Sequence, residues 1–156
     1  MKKLLVIAAV AMAAFTTPAM AQDFAGPRIE VAVGADDVKN GVDPTDLVYG
    51  AALGYDIQRG KFVFGVDASA ANIFDDADLG VGARAGYVVS ENVLAYTRVG
   101  YTNLDLGRRS VDGATIGGGF EVNVSDSMFV KAEYRYTDFD GGLGRHGGLV
   151  GLGVRF

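Results

Sequence analysis

Residues 79–102 read LGVGARAGYVVSENVLAYTRVGYT, and this stretch decides the fold. Leu79, Val81, Ala83, Ala85, Tyr87 and Val89 alternate with Gly80, Gly82, Arg84 and Gly86. After Ser90-Glu91-Asn92, Val93, Ala95, Thr97, Val99 and Tyr101 alternate with Leu94, Tyr96, Arg98, Gly100 and Thr102. A repeat of two, not 3.6, marks a strand with two unlike faces. Three polar residues between two such runs make a hairpin. One face carries no charge; the other sets Arg84 and Arg98 among glycines.

Outward from this hairpin the pattern recurs at 29–33, 47–55, 62–70, 116–124, 128–136 and 150–156. That makes eight strands, most near the nine to eleven residues or so that a tilted strand needs to cross a bilayer. Gln58-Arg59-Gly60, Ser90-Glu91-Asn92 and Ser125-Asp126-Ser127 are tight turns, whereas 35–46, 72–78, 103–112 and 138–146 read as longer loops. Short turns on one rim and long loops on the other are the pattern of an up-and-down barrel, with the short rim periplasmic.

Alternation alone also fits a soluble barrel, so the faces must be told apart. One is apolar, small or Thr throughout. The other holds Arg28, Glu30, Asp56, Asp67, Arg84, Arg98, Glu121, Lys131, Glu133, Arg135 and Arg155, interleaved with Gly. A charged face turned to water has room for side chains and gives no reason for glycine. Turned into a narrow lumen, it needs glycine beside long Arg and Glu. The uncharged face then meets lipid, with Tyr49, Tyr101 and Tyr136 near the loops and Tyr55, Phe62, Tyr87 and Phe156 near the turns as interfacial girdles. The expected fold is an all-β, eight-stranded antiparallel transmembrane barrel of a Gram-negative outer membrane.

The N-terminus agrees. Lys2 and Lys3 precede an apolar run over 4–15, and Pro18 stands before Ala19-Met20-Ala21, a small-x-small cleavage pattern. The run is shorter than the roughly 20 residues of a spanning helix. Cleavage is expected after Ala21, leaving 22–156 as a single barrel domain. The formal charge of −5 then becomes −7, because the leader removes two lysines and no acids. An acidic chain without a basic run makes a poor nucleic-acid partner. With no cysteine there is no disulfide, thiolate metal site or cysteine nucleophile.

The stretch Val130-Lys131-Ala132-Glu133-Tyr134-Arg135-Tyr136-Thr137-Asp138-Phe139, followed by a Gly-rich segment, resembles the penultimate strand of the opacity-type outer-membrane β-barrel family, which is related to the membrane domain of outer-membrane protein A. Tyr96-Thr97-Arg98-Val99-Gly100-Tyr101 resembles its fifth strand. The ending Gly151-Leu152-Gly153-Val154-Arg155-Phe156 resembles the signal read by the barrel-assembly machinery, carried by Gly151, Val154 and Phe156; Leu149 stands where that signal usually has a polar residue. The resemblance implies a surface-exposed barrel. Ending at Phe156, the chain is expected to carry no wall-binding domain.

Other motifs are weak. His146 is the only histidine and reads as a surface residue at a loop edge. Asp75, Asp76 and Asp78, with Asp36, Asp37, Asp43 and Asp46, read as solvated acidic loops that lack calcium-loop spacing. Asn123-Val124-Ser125 is a chance glycosylation sequon. Counted from Glu91, Arg84 and Arg98 lie side by side facing inward; two guanidinium groups in a confined space need carboxylates. The expected lumen network is Arg84 and Arg98 with Asp67 and Glu133, and Arg135 just above. The expected function is that of a small, monomeric, non-enzymatic protein without cofactors, serving envelope integrity or cell-surface contact. Its expected partners are outer-membrane lipids, lipopolysaccharide and the assembly machinery. A surface adhesin with an unidentified ligand and a narrow porin are the alternatives.

Overall fold

The computed structural model describes residues 24–38, 46–72, 78–105, 110–139 and 143–156; the leader and its cleavage residues Ala19 and Ala21 lie outside them, as do Asp43, Asp75 and Asp76. The strands are β1 (Gly26–Val38), β2 (Asp46–Arg59), β3 (Phe62–Ala71), β4 (Asp78–Ser90), β5 (Val93–Asp105), β6 (Ser110–Asn123), β7 (Met128–Phe139) and β8 (Leu143–Arg155). Each pairs antiparallel with the next, and β8 closes on β1. Closure leaves no unpaired edge, which a chain surrounded by lipid requires.

Alternation sorts the side chains as the sequence does. Val81 and Val99 are 57 % and 56 % exposed on the outer wall, while Arg84 on the inner wall is 4 % exposed. The buried interior is therefore polar and the exterior apolar, the reverse of a water-soluble protein. Near the short-turn rim the lumen has an apolar floor of Phe24, Val63, Leu94 and Phe129, all fully buried. Three of these occupy positions on the charged face of their strands. At the β2–β3 turn Gly60 takes φ +61°, a backbone region where a side chain would be strained.

The strands run 10 to 14 residues, longer than the apolar pattern suggests. Residues 35–38, 103–105, 110–112, 138–139 and 143–146, read as loops from the sequence, are paired strand. Beyond the lipid an outward position no longer has to be apolar, and Asp37 and Asp138 sit exposed on these extensions. Apolar alternation thus ends before hydrogen bonding does. The inward positions of the extensions carry Asp36, Asp78 and Arg145, all buried. Asp36 and Asp78 are therefore lumen residues, not part of solvated acidic loops.

Val99 lies in the middle row of the outer wall, beside Ala83 and Ile116. Val99→Arg is expected to lower unfolding free energy by about 2–4 kcal/mol, read by urea titration in phosphocholine bilayers; an unchanged value would remove this wall from lipid.

Candidate functional site

The lumen is built by rows that run across neighbouring strands. Asp56 on β2, Gly65 on β3 and Arg84 on β4 are successive register partners. Arg28 on β1, Gly54 on β2 and Asp67 on β3 form a second row, and Asp36, Gly147 and Arg135 on β1, β8 and β7 a third. In each, an acid and a base flank a glycine. A Cβ on Gly65 would run into Asp56 Oδ1, one on Gly147 into Asp36 Oδ1, and one on Gly54 would stand 2.7 Å from Arg28 Cζ. The missing side chain is the space through which the charged groups meet.

Arg84 Nη2 donates to Asp56 Oδ2 at 2.6 Å and Nη1 to Glu121 Oε2 at 2.8 Å. Arg155 Nη2 donates to Glu121 Oε1 at 2.5 Å, and Arg28 Nε to Asp56 Oδ2 at 3.0 Å. Asp56 and Glu121 are completely buried. Arg28 also bonds Glu30 at 2.8 Å and approaches Asp67 at 3.7 Å, joining this cluster to a second one higher up. There Lys131 contacts Glu30 at 2.5 Å and Glu133 at 3.4 Å, the Tyr96 hydroxyl donates to Glu133 at 2.7 Å, and Arg98 pairs with Asp67. Nearer the loop rim Asp36 lies 3.4 Å from Arg135 and 3.2 Å from Arg145, whose Nη2 reaches Asp78 at 2.6 Å. Among the described residues, seven bases and seven acids share the lumen, and each has an opposite charge within reach.

The structure makes Arg84 and Arg98 direct register partners. It brings Asp67 to Arg98 but not to Arg84, and Glu133 to Lys131 and Tyr96. Arg135 belongs to the separate upper group with Asp36. Heights counted from hairpin tips treat strands as upright, but barrel strands are tilted and staggered. Register sets Arg84 level with Gly65 and Asp56, and Asp67 level with Gly82. The Arg98 guanidinium reaches Asp67 by lying over Gly82, where a Cβ would meet Nη2 at 2.5 Å. Asp56 and Glu121 were legible as inward charges; their pairing with Arg84 was not.

A cavity of about 70 Å³ remains in the upper lumen, bordered by Asp67, Arg98, Glu133, Arg135 and Arg145. It has room for about five waters at roughly 15 Å³ each. Below it, Phe24 and Phe129 face the Arg155 guanidinium at 5.5 and 4.9 Å and complete the closure. Among the described residues no group of three or more His, Cys, Asp or Glu could hold a metal ion. His146 sits on β8 outside the lumen, its Nδ1 2.5 Å from the Tyr134 hydroxyl and its ring 4.7 Å from that of Tyr136. Asn123 is buried and accepts from Arg155 Nη1 at 3.3 Å, so the amide of the sequon is not exposed.

Gly65→Ala is expected to drive the Asp56 carboxylate off Arg84. The loss should approach the ~3–5 kcal/mol of a broken buried pair. Gly148→Ala, where a Cβ meets nothing within 4 Å, should leave urea stability in lipid unchanged. Equal stability of the two variants would show that the glycine rows are not needed.

The family model described as "Outer membrane protein beta-barrel domain" matches residues 7–156. The 25 kDa outer-membrane immunogenic protein of Brucella ovis is 28 % identical over 134 residues, 74 % of this chain and 66 % of that protein, so the match spans just under two thirds of that relative. Among solved structures, Ail, the attachment invasion locus protein of Yersinia pestis, superposes with a TM-score of 0.56 at 19 % identity, over 85 % of this chain and 99 % of that one. The N-terminal β-barrel domain of Pseudomonas aeruginosa OprF gives 0.53 at 14 %, over 83 % and 98 %. These two likenesses speak to the fold. With the lipid-facing wall, the closed eight-stranded sheet and the family match together, the chain belongs to the outer membrane protein β-barrel domain family, as an eight-stranded barrel of the Gram-negative outer membrane.

Proposed function

We propose that the protein is a closed, non-enzymatic envelope barrel: a rigid element of the outer membrane that presents its loop rim at the cell surface and conducts no solute. The observation that carries this reading is the lumen, where seven acids neutralise seven bases among the described residues above an apolar floor. A selective pore instead keeps a ring of one charge sign facing a water path. A catalytic reading lacks support, since His146 lies on the outer wall with its Nδ1 against Tyr134.

The cell-surface part of the proposal draws on the Brucella relative, whose name marks it as immunogenic, and on the strands that continue past the lipid belt. It includes removal of the leader after Ala21, short turns in the periplasm, a monomeric state, and contact with lipopolysaccharide around the outer wall. It also includes insertion by the assembly machinery through Gly151, Val154 and Phe156. Phe156 is 49 % exposed on the outer wall at the end of β8, where such a signal is accessible.

Planar-bilayer recording tests the closure. The refolded barrel is expected to show no unitary steps, while Phe129→Ala combined with Arg155→Ala, which opens the floor, should admit ions. Regular steps from the unmodified barrel would establish a narrow porin instead.

A further inference from the structure

The outer wall is not uniform. Across β3 to β6, Phe62, Tyr87, Ala95 and Phe120 form one row, and Phe64, Ala85, Thr97 and Gly118 the row farther from the short turns. Bulk stands at the flanks and is missing between them. Phe62, Phe64 and Tyr87 make one side, Phe120 the other, and Ala85, Ala95 and Gly118 the floor of a groove of about 500 Å³. It is an open trough along the wall and not an enclosed pocket, as suits a chain that lies along the barrel. The Thr97 hydroxyl donates to Ala85 O at 3.4 Å, so the floor presents no unpaired hydroxyl. On the opposite wall Val130, Leu152 and Val31 stand side by side, so branched side chains occupy three adjacent positions there.

A separate observation says what fills the groove. A cation lies beside one of its flanking side chains: Lys61 Nζ is 5.9 Å from the centre of the Tyr87 ring. The Lys61 carbonyl accepts the Val88 N–H at 2.8 Å, which ties this turn to β4. Arg59 is exposed in the same turn. The other two short turns carry Glu91 and Asp126, so among the short turns positive charge is confined to this one. Rows along a strand are about 6.8 Å apart, so the groove occupies the depth where the first acyl carbons lie below a headgroup. An apolar groove next to a short turn that carries an ammonium and a guanidinium matches an amphiphile with an anionic head.

We propose that this groove holds one phospholipid of the leaflet that meets the short turns, its acyl chain over Ala85, Ala95 and Gly118 and its phosphate on Lys61 and Arg59. The site lies outside the lumen and does not depend on whether the lumen is closed.

Native mass spectrometry of the barrel released from detergent micelles containing palmitoyl-oleoyl phosphatidylethanolamine tests it. The unmodified barrel is expected to retain one lipid. Ala95→Phe fills the groove from its floor and should lower the bound fraction about fivefold or more, an effect of roughly 1 kcal/mol. Arg59→Glu with Lys61→Glu should do the same, and Leu152→Phe on the opposite wall should bind like the unmodified barrel. Heat-modifiable gel mobility verifies that each variant is folded. Full binding by folded Ala95→Phe, or equal loss in Leu152→Phe, would overturn the proposal. So would a lipid-free barrel whose dimer ions disappear in Ala95→Phe, an outcome that assigns the groove to a second copy of the chain.

Discussion

An eight-stranded barrel encloses a space only just wide enough for side chains, and everything inside this one follows from that limit. The outer wall must be apolar because lipid offers nothing to a charge, so the polar side chains of each strand turn inward. They arrive in a space that cannot take a full side chain from every strand at every level. The solution is to delete some. Where Gly65 separates Asp56 from Arg84, the middle strand contributes only backbone, and the two long groups meet above it. Gly54 and Gly147 serve the same purpose between Arg28 and Asp67 and between Asp36 and Arg135. The abundance of glycine, 23 residues in the chain, thus has a packing cause in the lumen-facing strands as well as a turn cause at Gly60.

Charge balance is the second consequence. A buried carboxylate such as Asp56 or Glu121, with no exposed surface, is sustained only by partners that satisfy its oxygens. Arg84 serves both at once, and Arg155 and Arg28 complete them. Such a network need not be more stable than an apolar core of the same volume. What it adds is directional: each guanidinium fork fits one arrangement of acids, which pins the register of strands far apart in sequence, β2 to β4 and β4 to β6 among them. The same contacts fill the passage that a pore would need, so register specificity and closure come from one set of residues.

Much of this was legible in the chain. The uncharged face of residues 79–102 and its repeats gave eight strands, the direction of each side chain and the membrane. The lumen was legible as a set of inward charges but not as a list of pairs. Pairing depends on stagger around the barrel, and a count from Glu91 carries no information about stagger between non-adjacent hairpins. Asp36, Asp78 and Arg145 were missed for a different reason: they follow the point where outward residues cease to be apolar, so the alternation that marks a strand fades while pairing continues. The register Asp36↔Gly147↔Arg135 repeats the acid–glycine–base motif of Asp56↔Gly65↔Arg84, and that motif was the available signal.

The coupling between Asp56 and Arg84 tests the central claim most directly. Urea unfolding in lipid bilayers of Asp56→Asn, Arg84→Gln and the double variant yields an interaction free energy across Gly65. Residues in direct contact couple by about 0.5–3 kcal/mol, and a completely buried carboxylate held by two nitrogens of one guanidinium should fall in the upper part of that range. Additivity to within about 0.5 kcal/mol would mean that the two groups are hydrated independently, and the glycine-spaced ion-pair lumen would be contradicted.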